Sequence, residues 1–310
     1  MTTAVVRTEQ LTKRYGTTVA LDSLDLAIDE GEVYGYLGPN GAGKTTTIRL
    51  LLGLHRPSAG RARLFGLDAW ADPVRAHRRV AYVAGEPSLW PSLTGAETLE
   101  FLGRIHGGVD ASYRNELVDR FALDVRKKVR ALSKGNRQKV QLVGALATRA
   151  DLLLLDEPTA GLDPLMGMVF KECVQEARGR GQTVFLSSHV LSDVEALCDR
   201  VGILRQGRLV EQGTLAELRH LRAQTIDVTF DGPAPVLPPA PGVHVTQVGP
   251  SALRLEVLGG VGPVIAELAR HPVATLTSRE PSLEEIFLHD YRNPDGREGE
   301  VGRSRTVTAR

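Results

Sequence analysis

Residues 38–46 read Gly-Pro-Asn-Gly-Ala-Gly-Lys-Thr-Thr. They lie between a short apolar run, Val33–Leu37, and a segment with apolar residues at Ile48, Leu51 and Leu52. The run has the length and composition of a buried strand, and the spacing after it places apolar side chains on one helical face. The chain must therefore pass from strand to helix through a glycine-rich turn, which few folds accommodate. Gly38, Gly43, Lys44 and Thr45 satisfy the phosphate-binding pattern G-x-x-x-x-G-K-[ST]. Gly38, Gly41 and Gly43 allow backbone N–H groups to turn inward without a side-chain clash, with Pro39, Asn40 and Ala42 completing the loop. The start of the helix adds partial positive charge. Lys44 brings a cation, Thr45 offers a hydroxyl to Mg²⁺, and Thr46 extends the first turn. The expectation is a site for a nucleotide's phosphates.

A second element sharpens the first. Leu152–Leu155 is a fully apolar run that ends in Asp156-Glu157. A buried strand ending in two carboxylates delivers them to one edge of a sheet, where ligands of α/β folds bind. Asp156 suits Mg²⁺. Glu157 can face an attacking water as general base or orienter. No Asn/Thr-Lys-x-Asp run is present, so guanine-specific recognition is not indicated.

Over the first 220 residues such strands alternate with helical patterns. Val80–Val83 and Thr183–Leu186 read as strands; the segments around Leu99–Ile105, Leu117–Phe121, Arg137–Arg149, Met166–Ala177 and Leu191–Leu197 read as helices. Thr94 and Glu97 have capping-box spacing, as do Thr214 and Glu217. Val201–Leu204 and Arg208–Val210 suggest a hairpin about Gln206-Gly207. This alternation predicts a parallel sheet covered on both faces. A proline-dense stretch, Asp231–Gly242, then breaks the pattern. Beyond it Val243–Val248, Ala252–Val257 and Val273–Thr277 read as strands, Val264–Leu268 as a helix, and Ser282 with Glu285 caps a final helix, Leu283–Leu288. A small second unit is expected at 222–291. The polar segment 292–310 is expected to be disordered.

Composition excludes several classes. With 38 basic and 37 acidic residues the net charge is +1, which gives no long-range field to gather nucleic acid. Cys173 and Cys198 form no CxxC pair, so neither a disulfide framework nor a zinc ribbon is indicated. No run approaches the roughly 18 to 20 apolar residues that span a bilayer, and Met1–Arg7 has no signal-peptide core.

Residues 132–138, Leu-Ser-Lys-Gly-Asn-Arg-Gln, stand just before a helix. They resemble the signature sequence of ABC ATPases, usually Leu-Ser-Gly-Gly-Gln. In the same order follow Asp156-Glu157-Pro158-Thr159, then Ala160-Gly161-Leu162-Asp163, similar to the family's D-loop, and Ser188-His189, similar to its switch histidine. Tyr15, in Lys13-Arg14-Tyr15-Gly16, matches the aromatic that stacks on adenine. The resemblance covers roughly residues 4–220, and Glu280–Phe287 resembles the end of ATPase subunits from bacterial ABC-2-type drug and antibiotic exporters.

This resemblance implies an α/β fold of the ABC-type P-loop NTPases: a mixed-sheet core at 4–221, a helical subdomain near 86–149, and a small C-terminal α+β domain. It implies ATP and Mg²⁺ as ligands. Ser133, Gly135 and Asp163 would serve the ATP site of a second copy, and Glu157 with His189 would act in hydrolysis. The partners implied are a separate ABC-2-type permease and a second copy of the chain at the cytoplasmic face of the membrane, with no nucleic acid. The sequence departs from the family at Gly85, where Gln usually stands; Glu86 follows it in a candidate coupling loop. Lys134 and Asn136 replace a Gly and a Gln of the signature. Basic residues around the signature, and at Arg75, Arg78 and Arg79, read as solvated faces or as attraction to lipid heads or permease loops. A soluble ATPase of this type acting on DNA or ribosomes is the rival reading. It calls for two cores in one chain or a long coiled-coil insertion, and neither is legible here.

Overall fold

The computed structural model of the chain describes residues 4–220 and 224–279. The expected final helix Leu283–Leu288 and the segment 292–310 lie outside the described residues. The chain divides into two compact units between Leu215 and Ala216, where sequence alone places the boundary at 221/222.

The first unit opens with strands β1 (Ala4–Tyr15), β2 (Thr18–Asp29) and β3 (Val33–Leu37), then helix α1 (Lys44–Leu51). Next come β4 (Ala59–Leu64), β5 (Leu67–Asp68), α2 (Pro73–His77) and β6 (Val80–Val83). Three helices follow, α3 (Gly95–Ile105), α4 (Ala111–Arg120) and α5 (Lys134–Ala147). The unit closes with β7 (Leu152–Asp156), α6 (Pro164–Gly179), β8 (Thr183–Ser188), α7 (Leu191–Leu197), β9 (Arg200–Arg205) and β10 (Arg208–Thr214).

The central sheet has the order β10-β9-β3-β8-β7-β6. Its inner strands run parallel, and only β10 pairs antiparallel, on β9. Every residue of β3, β7 and β8 is buried, as strands covered on both faces require. A second sheet of order β2-β1-β4-β5 is antiparallel throughout. The mixed-sheet core and the hairpin about Gln206-Gly207 are as expected, and the alternation of strands and helices accounts for the parallel strands alone. The residue pattern missed the β1–β2 hairpin because its pairing register shifts repeatedly, with Gln10 and Ser23 in left-handed backbone. Each bulge resets the two-residue period that marks a strand.

Aromatic packing fixes β3 against β8. Phe185 stacks on Tyr34 with ring centroids 6.1 Å apart and meets Tyr36 at 5.1 Å. Between the tyrosines, a Cβ on Gly35 would lie 2.6 Å from Val194 and 2.9 Å from the Cys198 sulfur. Helix α7 therefore packs directly on β3. Both cysteines are buried and free. Burial pushes the Cys173 thiol up to about 11 and that of Cys198 higher still, so neither is a reactive thiolate. The Thr94–Glu97 capping box forms as expected: Glu97 N–H donates to Thr94 Oγ1 at 3.2 Å, and Thr94 N–H donates to Glu97 Oε2 at 2.7 Å. Helix α5 starts at Lys134, three residues earlier than its apolar spacing indicates.

At the division, α8 (Leu215–His220) leads into β11 (Gln224–Phe230), β12 (Val243–Gly249), β13 (Ala252–Val257), α9 (Gly262–Leu268) and β14 (Val273–Arg279). The sheet order is β12-β13-β11-β14. Ile226, Val228, Leu253, Leu255, Val264 and Leu268 form this unit's own core. Strand β11 was not anticipated, although Ile226, Val228 and Phe230 alternate cleanly.

Phe185→Ala removes the ring that joins two tyrosines in the first core. It is expected to destabilise that unit by about 3–5 kcal/mol, measured as a lower denaturant midpoint.

Candidate nucleotide site

The turn between β3 and α1 is built as its sequence requires. Gly41 and Gly43 have φ of +81° and +115°, which favour glycine. A Cβ on Gly43 would lie 2.7 Å from Ala20 O, and one on Gly38 would lie 2.6 Å from Leu204 O. Gly43 is the cap residue of α1, and no side chain among the described residues caps that end. The first-turn N–H groups thus remain available to an anion. Ala42 N–H donates to Pro39 O at 3.1 Å and closes the turn. Thr47 Oγ1 donates to Gly43 O at 3.1 Å and contacts the Tyr36 hydroxyl at 3.1 Å, locking the base of the loop. Thr45 and Thr46 are half-buried on the first turn.

Lys44 is almost wholly buried, and its Nζ donates to Gly38 O at 2.6 Å and Pro39 O at 3.3 Å. It also lies 3.4 Å from Glu157 Oε1. The other oxygen of Glu157 lies 3.1 Å from His189 Nδ1. Three residues picked out from distant parts of the sequence thus form one contiguous line. Sheet order explains the meeting: β3 carries the loop, β7 ends in Asp156, β8 precedes His189, and β8 pairs with both other strands.

Asp156 is buried, and Ser187 Oγ donates to its Oδ1 at 2.5 Å. Glu157 has φ +46°, a left-handed conformation that costs a non-glycine residue roughly 1–2 kcal/mol. Its N–H, 3.0 Å from Ser187 O and 3.2 Å from Ser187 Oγ, holds the strained residue in place. Ser187 therefore serves both carboxylate residues. Sequence reasoning missed it; the signal was a polar residue at the end of an otherwise apolar strand.

Asp156 and Glu157 open on a cleft of about 380 Å³ that is also lined by Asn40, Thr45, Gly85 and Glu86; Lys44 and His189 are not among its lining residues. Arg49 and Tyr82 also line it and were not assigned there from sequence; Lys134, open from sequence to a place near the γ-phosphate or in solvent, lines it as well and is exposed. Burial, then the nearby Asp156 carboxylate, pushes the Tyr82 phenol up to about 12, so it stays a neutral donor. A Cβ on Gly85 would lie 3.3 Å from Asp156 O and 3.8 Å from Glu157 Cβ. The loop therefore passes close against the acidic pair.

Ser133 caps α5, accepting from Asn136 N–H at 3.2 Å, and is itself exposed. Gly135 packs so closely on the loop after Glu157 that a Cβ there would lie 2.5 Å from Gly161 O. Asp163 caps α6 by accepting from Met166 N–H at 3.0 Å. Neither Ser133, Gly135, Asp163 nor Tyr15 is among the residues lining the cleft. Tyr15 ends β1 and pairs with His55. No helix of the described residues is long and apolar enough to cross a membrane.

This geometry defines a nucleotide-binding ATPase site. The sequence pattern of the family described as ABC transporter matches residues 21–160. A daunorubicin resistance ATP-binding protein of Streptomyces coeruleorubidus is 38% identical over 293 residues, covering 89% of this chain and 92% of that protein. A bacitracin transport ATP-binding protein of Enterococcus faecalis is 32% identical, covering 91% of this chain and 95% of that one. A solved ATP-binding subunit of an ABC transporter is 32% identical with a TM-score of 0.65, covering 69% of this chain and 92% of that chain. The fold also matches a dimeric ATP-binding cassette bound to ADP and Pi, at 24% identity and a TM-score of 0.62, covering 68% of this chain and 98% of that one. The chain belongs to the ABC transporter family, as an ATP-binding, ATP-hydrolysing subunit. The bacitracin relative is a transport protein and the solved relative a transporter subunit, which favours that reading over a soluble ATPase acting on DNA or ribosomes.

Ser187→Ala is expected to destabilise the first unit by about 1–3 kcal/mol, because buried Asp156 loses its donor. Denaturant unfolding measures the loss.

Proposed function

We propose that this chain works as a pair of identical copies that hydrolyse ATP to power export of an antibiotic-like molecule through a separate ABC-2-type permease, docked at the membrane's cytoplasmic face. The observation that carries the chemistry is the line Lys44–Glu157–His189, with contacts of 3.4 and 3.1 Å, beside the uncapped start of α1. The substrate class rests on the daunorubicin and bacitracin relatives, matched over nearly their whole length.

In this reading the first-turn N–H groups of α1 and the Lys44 ammonium hold the phosphates, and Tyr15 stacks on adenine. The Thr45 hydroxyl and the Asp156 carboxylate, both on the cleft wall, are hard oxygen donors suited to Mg²⁺. No group of three or more His, Cys, Asp or Glu poised for a metal occurs among the described residues. Two protein donors plus phosphate oxygens is how Mg²⁺ is usually held at such sites. When bound, Mg²⁺ would neutralise charge developing on the phosphates.

Glu157 orients a water and draws off its proton as the new O–P bond forms and the bond between the γ-phosphorus and ADP breaks. His189, against the other Glu157 oxygen, hydrogen-bonds the γ-phosphate. Of the first turn of α5 only Lys134 lines the chain's own cleft, and Ser133 before it is exposed. That supports Ser133 and Gly135 serving ATP on a second copy, with Asp163 at the seam between copies. The Gly85–Glu86 loop runs from the acidic pair toward the capped start of α3, a route by which the nucleotide's state reaches the permease.

Glu157→Gln is expected to bind MgATP, to release phosphate about 10²–10⁴-fold more slowly, and to accumulate as dimer on size-exclusion chromatography. Wild-type turnover in this variant would remove Glu157 from its role. Lys44→Ala should lose about tenfold or more in ATP affinity, through loss of a charged hydrogen-bond donor; calorimetric titration measures it. With the permease in inverted vesicles, wild type should drive ATP-dependent uptake of daunorubicin and Glu157→Gln should not.

A further inference from the structure

The tip of β1 and the loop that leaves α1 are joined by contacts that the phosphate chemistry does not use. Ser58 N–H donates to Thr12 O at 2.8 Å, Arg14 N–H donates to Ser58 Oγ at 2.9 Å, and Lys13 Nζ donates to Arg56 O at 2.8 Å. Beyond them stands a side-chain pair. The Tyr15 hydroxyl hydrogen-bonds His55 Nδ1, and the two rings meet edge to face, centroids 5.7 Å apart at 77°. The Lys13 ammonium lies 4.8 Å from the centre of the Tyr15 ring. Tyr15 nevertheless keeps 43% of its surface exposed.

A tyrosine at the end of a hairpin strand, next to a turn at Gly16 with φ +56°, would ordinarily sample several side-chain rotamers. Stacking on a base would then require it to give up that freedom. Here the hydroxyl is tied at the far end of the ring and the ring edge is packed, so the ring's orientation is set beforehand. The loop that supplies His55 leaves the same helix whose first residues are Lys44 and Thr45. That helix has eight residues and spans about 12 Å at 1.5 Å per residue. The phosphate cradle and the ring held by His55 are thus attached to opposite ends of α1.

We propose that His55 is a positioning residue for nucleobase binding, fixing Tyr15 as a ready platform for the adenine of a nucleotide whose phosphates lie at Gly38–Thr46. The inference rests on the reading of Tyr15 as that platform. His55 touches no reacting atom. Its contribution is confined to ligands that carry a base, which separates its role from general support of the fold. Inorganic tripolyphosphate, which has no base, is the probe that makes the separation.

The experiment titrates the full chain with Mg-ATP and with Mg-tripolyphosphate, in wild type, His55→Ala, His55→Asn and Tyr15→Ala. His55→Ala is expected to weaken ATP binding about three- to tenfold, the loss of one modest hydrogen bond, and to leave tripolyphosphate binding unchanged. In steady-state hydrolysis the loss appears in KM rather than kcat. Asn carries an amide within reach of the Nδ1 position and is expected to restore ATP affinity. Equal weakening of both ligands, or His55→Asn as poor as His55→Ala, overturns the proposal. So does full ATP affinity in His55→Ala where Tyr15→Ala has lost it. Full ATP affinity in Tyr15→Ala removes the platform itself, and the role of His55 with it.

Discussion

The first turn of α1 begins at a glycine in left-handed backbone, and no side chain among the described residues takes up its N–H groups. A helix start normally recruits a serine, threonine or aspartate for that purpose, as α3, α5 and α6 do here with Thr94, Ser133 and Asp163. At α1 the place is filled by Gly43, whose missing side chain also lets the turn pack on Ala20 and Leu21. The amides and the helix dipole are thereby kept for an external anion. The buried Lys44, folded back on the carbonyls of Gly38 and Pro39, concentrates further positive charge at the same point.

A cluster of positive charge in a protein interior needs balancing groups, and the sheet supplies them. Strands β3, β8 and β7 lie side by side, so the ends that follow them converge. Glu157 is placed between Lys44 and His189 by a backbone conformation that no side chain adopts without strain. Ser187 offsets that strain by accepting from the Glu157 N–H while donating to Asp156. One serine near the end of β8 therefore keeps both carboxylate residues in register. The apolar body of the unit, with Phe185 between Tyr34 and Tyr36, holds those strand ends to fixed positions.

The long antiparallel hairpin β1–β2 has a different task. It leaves the phosphate chemistry to the central sheet and carries the aromatic ring proposed to meet the base. Its tip would be loose in isolation, since bulges interrupt its pairing. Contacts from residues 55–58 splint it to the exit of α1. The second unit has its own core and sheet.

Much of the site was legible because its parts are local. A glycine's freedom, a helix dipole and a strand that ends in carboxylates each act over one turn or one strand, and the spacing of residues 38–46 and 152–157 states them directly. The Thr94–Glu97 cap was legible for the same reason. The antiparallel sheet was not, because the bulges near Gln10 and Ser23 erase the period on which a strand is recognised. Nor could residue spacing place Tyr82 or Arg49 in the cleft, set Ser187 against Asp156, or pair His55 with Tyr15. The sequence by itself determined the phosphate-binding pattern at 38–46 and singled out Lys44, Asp156 and Glu157 as the groups to look for beside it. Only the tertiary structure decided that these groups meet, and in what order, because strand order depends on pairings between distant segments, such as Val33 of β3 with Val184 of β8, which no local pattern encodes.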